Sequence, residues 1–164
     1  MRWIYLIRHA KSSWSHPDLA DFDRPLNKRG KRDAPLMGSN LSRLGCSPDR
    51  IVSSPANRAL TTAMRIAEAL EYPTEEIETD HAIYGASVDE LIRLISQFSA
   101  NHRQVCLVGH NPDLTNLSNY LTDEYIDNVP TCGIVHIELE IDDWQQIDQG
   151  TGTRLFFITP KSSR

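Results

Sequence analysis

Two short apolar runs each end on a histidine: Ile4-Tyr5-Leu6-Ile7-Arg8-His9 and Val105-Cys106-Leu107-Val108-Gly109-His110. An imidazole near neutral pH is largely unprotonated, so it can attack phosphorus or carry a proton. Arg8 stands beside the first histidine, and a second arginine, Arg58, follows the stretch Ser53-Ser54-Pro55-Ala56-Asn57. Guanidiniums stay charged at any relevant pH and grip a phosphoryl group through paired N–H donors. Two imidazoles and two guanidiniums point to phosphoryl chemistry in which cationic side chains offset the charge gathering on the phosphoryl oxygens. Arg8, His9, Arg58 and His110 are the catalytic candidates, and both arginines are also substrate-binding candidates.

A second set of residues lies close by in the chain. Lys11, Ser12 and Ser13 follow His9 and either line a phosphate pocket or cap the loop, while Asn111 follows His110 at the start of a helix. Asp21 and Asp23 are read as ion-pair partners of Arg24 or Arg29, with the alternative that one of them donates a proton. His16, His81, His102 and His136 lack metal-ligand spacing, so neither a metal nor another cofactor is expected. His136 alternates with Val135 and Ile137 and is expected on the polar face of its strand. Lys28-Arg29 with Lys31-Arg32 reads as a solvated helix start that could also guide an acidic partner.

Strands and helices must alternate to bring these residues together. Trp3 to Ile7, Arg50 to Ser53 and Val105 to Val108 read as strands, and 76–79 as a short one. Residues 10–26 have no period and form a long loop. Asn27 caps a helix with the apolar face Ala34, Met37, Leu41 and Leu44, which Pro35 should kink and Gly45 should end. Ser54 as cap and Pro55 at the first position open a helix with inner face Ala59, Ala63, Ile66 and Leu70. Ser87-Val88-Asp89-Glu90 matches a capping box for a helix to about Phe98. Asn111-Pro112 caps a helix running to about Leu121. Ile134 to Ile141 and Arg154 to Ile158 then read as strands around a Gly150-Thr151-Gly152 turn.

Together these predict an α/β three-layer sandwich, a mostly parallel central sheet with helices on both faces and an antiparallel C-terminal addition. Ligands of such sheets bind beyond the carboxyl ends of the strands, where the junctions carrying His9, Arg58 and His110 would share one edge. With 164 residues the chain fits one domain, 1–164. A net charge of −5 argues against nucleic acid as the main ligand. No apolar run suits a membrane span, and Met1-Arg2 leads straight into a strand without a signal segment. The three cysteines, Cys46, Cys106 and Cys132, form no CxxC pair, so a reducing cytoplasm is the expected location.

The motifs taken in order resemble those of the histidine phosphatase superfamily, also called phosphoglycerate mutase-like. Leu6-Ile7-Arg8-His9-Ala10 is similar to its Arg-His-Gly signature, with Ala10 where glycine is usual. Ser53 to Ala59 with Thr62-Ala63 resembles the second motif, and Val108-Gly109-His110-Asn111-Pro112 the third. Arg24-Pro25-Leu26-Asn27 followed by Gly30 resembles the lead-in to the first helix. The short chain is most similar to the SixA branch, phosphohistidine phosphatases of phosphorelay proteins. The resemblance implies His9 as the nucleophile that carries a phosphohistidine intermediate. It also implies Arg8 and Arg58 as the clamp and His110 as a charge-stabilising partner.

One departure bears on substrate. Larger members place an acidic proton donor between the second and third motifs, where this chain reads His81-Ala82-Ile83-Tyr84-Gly85-Ala86-Ser87. An alkoxide leaving group needs a proton far more than the imidazole of a phosphohistidine does. The expected activity is thus a metal-independent phosphatase acting on a phosphorylated protein, for example a histidine phosphotransfer domain. The alternatives are a general phosphomonoesterase of small esters, using Asp21 or Asp23, and a non-catalytic phosphate-binding module.

Overall fold

A computed structural model of the chain describes residues 1–163. Its centre is one six-stranded sheet: β1 (Arg2–Arg8), β2 (Arg50–Ser53), β3 (Glu78–Thr79), β4 (Gln104–Gly109), β5 (Ile134–Leu139) and β6 (Gly152–Ile158). The order across it is β3-β2-β4-β1-β5-β6. β3, β2, β4 and β1 run parallel, while β5 pairs antiparallel with both β1 and β6. The predicted mixture of parallel body and antiparallel addition is present.

Both faces are covered, which is why β1 and β4 read as unbroken apolar runs rather than alternating ones. Ile4, Leu6, Val105 and Leu107 pack with Leu91, Ile95, Leu114 and Leu117 of α3 (Val88–Ser96) and α4 (Asp113–Leu121). Tyr5, Ile7, Cys106 and Val108 point the other way, against Ala34, Met37, Leu41, Ala59, Ala63 and Ile66 of α1 (Lys28–Arg43) and α2 (Asn57–Ala69). Successive residues of one strand thus serve two cores.

Several local expectations change. α2 begins at Asn57 after Ala56, not at Ser54-Pro55. Ser54 continues off the strand, with its N–H donating to Val108 O at 2.9 Å, and its hydroxyl accepts from Ala56 N. α1 runs unbroken from Lys28 to Arg43 through Pro35, and Leu44 lies beyond it, exposed rather than in the core. The expected Asn111-Pro112 cap is present: α4 starts after Pro112, with Asn111 Oδ1 accepting from Thr115 N. His136 is not on a solvated face. Its ring stacks on Tyr5 at 3.9 Å and packs beside Phe156, because β5 lies between β1 and β6.

The long loop is tied at its base. Ser13 N donates to Pro25 O and Asn27 N to Lys11 O. Asn27 caps α1 by accepting from Gly30 N. A Cβ on Gly30 would lie 2.2 Å from Lys11 O, so only glycine lets the start of α1 close against the residues that follow His9. Among the described residues no helix is long and apolar enough to cross a membrane.

Candidate active site

Parallel pairing fixes where the chemistry stands. Arg8 pairs with Gly109 and Ser53 with Val108, so β1, β2 and β4 end level and release His9, Ser54 and His110 on one edge. β5, running the other way, enters at that same edge, with Ile134 opposite Ile7. His9 is held by backbone on two sides: its N–H donates to Gly109 O, and its carbonyl accepts from Cys132 N, both at 3.0 Å.

The tautomer of His9 follows from one contact. Nδ1 lies 2.8 Å from Ala10 O, and a carbonyl oxygen only accepts, so Nδ1 carries the hydrogen. Nε2 is then left with its lone pair. His9 is buried, and burial lowers its pKa to about 3, helped by the neighbouring His110, Arg58 and Arg8 and opposed by the Ala10 bond. It is a neutral imidazole at physiological pH. Thr62 of α2 fixes the next residue by accepting from Ala10 N at 2.9 Å.

His110 faces it, with ring centroids 5.2 Å apart. Its Nε2 shares a hydrogen bond of 2.8 Å with Ser54 Oγ. Burial again lowers the pKa, to about 4, with the charges of Arg58 and Arg8 acting the same way and Asp21 against them. Arg8, half-buried, donates through Nη1 to Val129 O at 3.0 Å. Arg58, on the first turn of α2, donates through Nη1 to Asp21 O at 2.7 Å and through Nη2 to Asp21 Oδ2 at 2.9 Å.

Asp21 therefore reaches Arg58 across 37 residues of sequence. Its carboxylate also accepts from Tyr84 OH at 2.7 Å and from Arg24 Nε at 3.2 Å. These partners, Tyr84 foremost and then Arg58 and Arg24, hold its pKa down at about 2 although burial opposes them. Asp23, by contrast, is exposed and its backbone oxygen accepts from Asn57 Nδ2. Ser12 Oγ accepts from Arg24 Nη1, Ser13 Oγ bonds Ser15 Oγ, and the Lys11 carbonyl accepts from Asn27 N. Asn111 Nδ2 donates to Asn128 Oδ1 and to Val129 O. These four residues shape the wall of the site through such bonds.

Sequence reasoning passed over Tyr84, Ser54 and Arg24 as site residues. Tyr84 stands edge-on to His110 at 5.5 Å and packs with Phe22 and His81. One signal could have found it: the segment 80–86 leaves the end of β3, which is parallel to β2 and so opens on the same edge.

Known proteins resemble this chain in sequence and fold. The profile of the histidine phosphatase superfamily (branch 1) matches residues 4–84. An uncharacterised protein of Mycobacterium tuberculosis is 30% identical over 166 residues, covering 94% of this chain and all of its own length. This chain belongs to the histidine phosphatase superfamily. Phosphoserine phosphatase 1 of Hydrogenobacter thermophilus is 41% identical over 98 residues, 54% of this chain and 44% of that protein. Among solved structures, the candidate phosphohistidine phosphatase SixA of Agrobacterium tumefaciens superposes with a TM-score of 0.83 at 26% identity, covering 97% of this chain and 98% of its own. Family membership supports phosphatase activity, and the superposition extends the likeness to the β5 and β6 side of the sheet.

Proposed function

We propose that this chain is a metal-independent phosphatase that carries a phosphoryl group on His9 and takes it from a phosphohistidine of a protein. The observation that carries the reading is the His9 imidazole, neutral, with Nδ1 donating to Ala10 O and Nε2 unprotonated. Nε2 attacks phosphorus in line, the substrate's P–N bond breaks, and the leaving imidazole departs neutral because its other nitrogen already holds a proton. Arg8 and Arg58 grip the equatorial oxygens, and His110, steadied by Ser54, lies against the reacting group. Water then attacks phospho-His9, gives up a proton to the departing phosphate, and restores Nε2.

The electrostatics of Asp21 support phosphohistidine over alkyl esters. A carboxyl held at about 2 is ionised at neutral pH and has no proton to give to an alkoxide. The phosphomonoesterase reading retains one supporting observation, the local identity with a phosphoserine phosphatase. The three unpaired buried thiols suit the reducing cytoplasm where phosphohistidine signalling proteins work. A phosphorylated signalling protein, such as a histidine phosphotransfer domain, is the proposed partner.

Trapping tests the reading. Labelled phosphohistidine mixed with the enzyme and quenched in alkali should leave label on the peptide containing His9. His9→Ala should lose turnover by on the order of a thousandfold or more. Wild-type rates from His9→Ala would overturn the mechanism, and brisk alkyl-ester turnover with inert phosphohistidine would favour the esterase.

A further inference from the structure

Beside the site lies a groove of about 510 Å³, lined by Arg29 and Lys161 with Pro130, Phe157 and Pro160 among its walls. Its lining carries two cations and no carboxylate. The groove shares a wall with the catalytic machinery. Asn128, on that lining, accepts from Asn111, and the adjoining Val129 carbonyl accepts from Arg8. Three residues on, Cys132 N donates to the carbonyl of His9 itself. The groove is thus placed to receive residues that flank a side chain brought to His9.

The charge distribution says which neighbours fit. The chain is acidic overall, and between residues 66 and 150 the basic residues other than histidine are Arg93 and Arg103 alone. The start of α1 departs from that background: Lys28, Arg29, Lys31 and Arg32 are exposed and stand where the helix closes against the loop after His9. Arg29 Nε lies 3.7 Å from the buried Asp33, yet its side chain remains 51% exposed and available to a partner. Asp33 also pairs with Arg32 at 3.3 Å.

We propose that this groove docks the segment flanking the phosphorylated residue of a protein substrate, a segment of apolar side chains interspersed with carboxylates. The apolar residues lie against Pro130, Phe157 and Pro160, and the carboxylates meet Arg29 and Lys161. The proposal rests on the phosphohistidine reading above for the reaction, and on the groove's own chemistry for the partner. Charges at such a rim act mainly on encounter and partner choice, so they should appear in kcat/KM and in its salt dependence.

The test uses two short peptides with one phosphohistidine each, flanked by Leu and Glu in the first and by Leu and Lys in the second. Free phosphohistidine serves as the small substrate. Wild type should prefer the acidic peptide by about fivefold to tenfold in kcat/KM at low salt. The double variant Arg29→Gln/Lys161→Glu should abolish or invert that preference while turning over free phosphohistidine at the wild-type rate. It leaves Arg32 on Asp33, and an unchanged melting temperature confirms its fold.

A second readout is independent of turnover. The unphosphorylated acidic peptide should shift the backbone NMR signals of Phe157, Thr159 and Lys161 in wild type and not in the variant. A preference that survives the double variant, no preference in wild type, or peptide shifts confined to other surfaces would each overturn the docking proposal. If free phosphohistidine is inert while the peptide still shifts the groove, the reaction assignment fails and the groove stands.

Discussion

The pocket has two sides built on different principles. Arg8, His9 and His110 leave the ends of parallel strands, and backbone bonds to Gly109, Cys132 and Val108 level those ends. Opposite them, Asp21, Phe22, His81 and Tyr84 stand on two 3-10 turns and the loops around them; Asp21 meets Arg58 through both its carbonyl and its carboxylate, and Tyr84 through its hydroxyl on that carboxylate. The strand side is buried and holds its imidazoles neutral. The loop side is half open and holds its carboxylate charged. Under the proposed mechanism the difference separates two tasks: the strand side would supply the nucleophile, and the loop side would decide whether a proton is on hand for the leaving group.

Arg58 joins the two sides, so it gives the largest predicted effect apart from the nucleophile itself. Its guanidinium already spans the Asp21 carbonyl and carboxylate with two nitrogens. An ammonium cannot hold a phosphoryl oxygen and Asp21 with the same geometry. Arg58→Lys should lower kcat/KM for phosphohistidine by about a hundredfold or more, the cost typical of losing one oxyanion donor. A loss below tenfold in steady-state kinetics would show that Arg8 alone carries the clamp.

Acid should act on the strand side first. His9, His110 and His136 have pKa values lowered to about 3, 4 and 4 from an unfolded value of 6.5, in each case chiefly by burial. Below 6.5 the unfolded chain takes up protons that the folded chain refuses. Stability is therefore fully present above that pH and falls as pH drops toward 4. Each such histidine contributes a slope of up to about 1.4 kcal/mol per pH unit in that window. Asp21 acts in the same direction at lower pH: its contribution persists until pH falls below 3.8 and disappears toward about 2. Denaturant unfolding at pH 7.5, 6 and 5 should show the decline, and the His9 ring signals should not titrate near 6.5. A His9 midpoint close to 6.5 by NMR would break the contrast.

The two sides also differ in how far the sequence announces them. Burial on both faces makes β1 and β4 continuous apolar runs, so Arg8, His9 and His110 fall at legible ends. Arg58 is likewise findable from its distance past Ser53, although the helix starts later than Ser54-Pro55 suggests because Ser54 bonds His110 and Ala56 instead. His136 misleads, since Ile134 to Leu139 alternates as a half-exposed strand would while its outer neighbour β6 supplies Phe156 to cover it. Tyr84 and Asp21 meet across 63 residues through two side chains and no repeating pattern. A contact of that kind leaves no periodicity to read.

The smallest predicted effect is the one that separates the substrate readings. Asp21→Asn keeps the size of the side chain and removes its charge from a half-exposed position beside Arg58. If Asp21 is an ionised strut, the variant should retain phosphohistidine turnover. Its affinity for phosphate or vanadate should tighten by about fivefold, since a like charge near the phosphoryl dianion is gone. If Asp21 is instead a proton donor, alkyl-ester turnover should collapse while phosphohistidine, with its own protonated leaving group, is spared. Tighter inhibition with both activities kept would mark the loop side as a filter on charge. Ester loss alone would give it an acid–base role despite the hydrogen bonds of Tyr84, Arg58 and Arg24, which favour the ionised form.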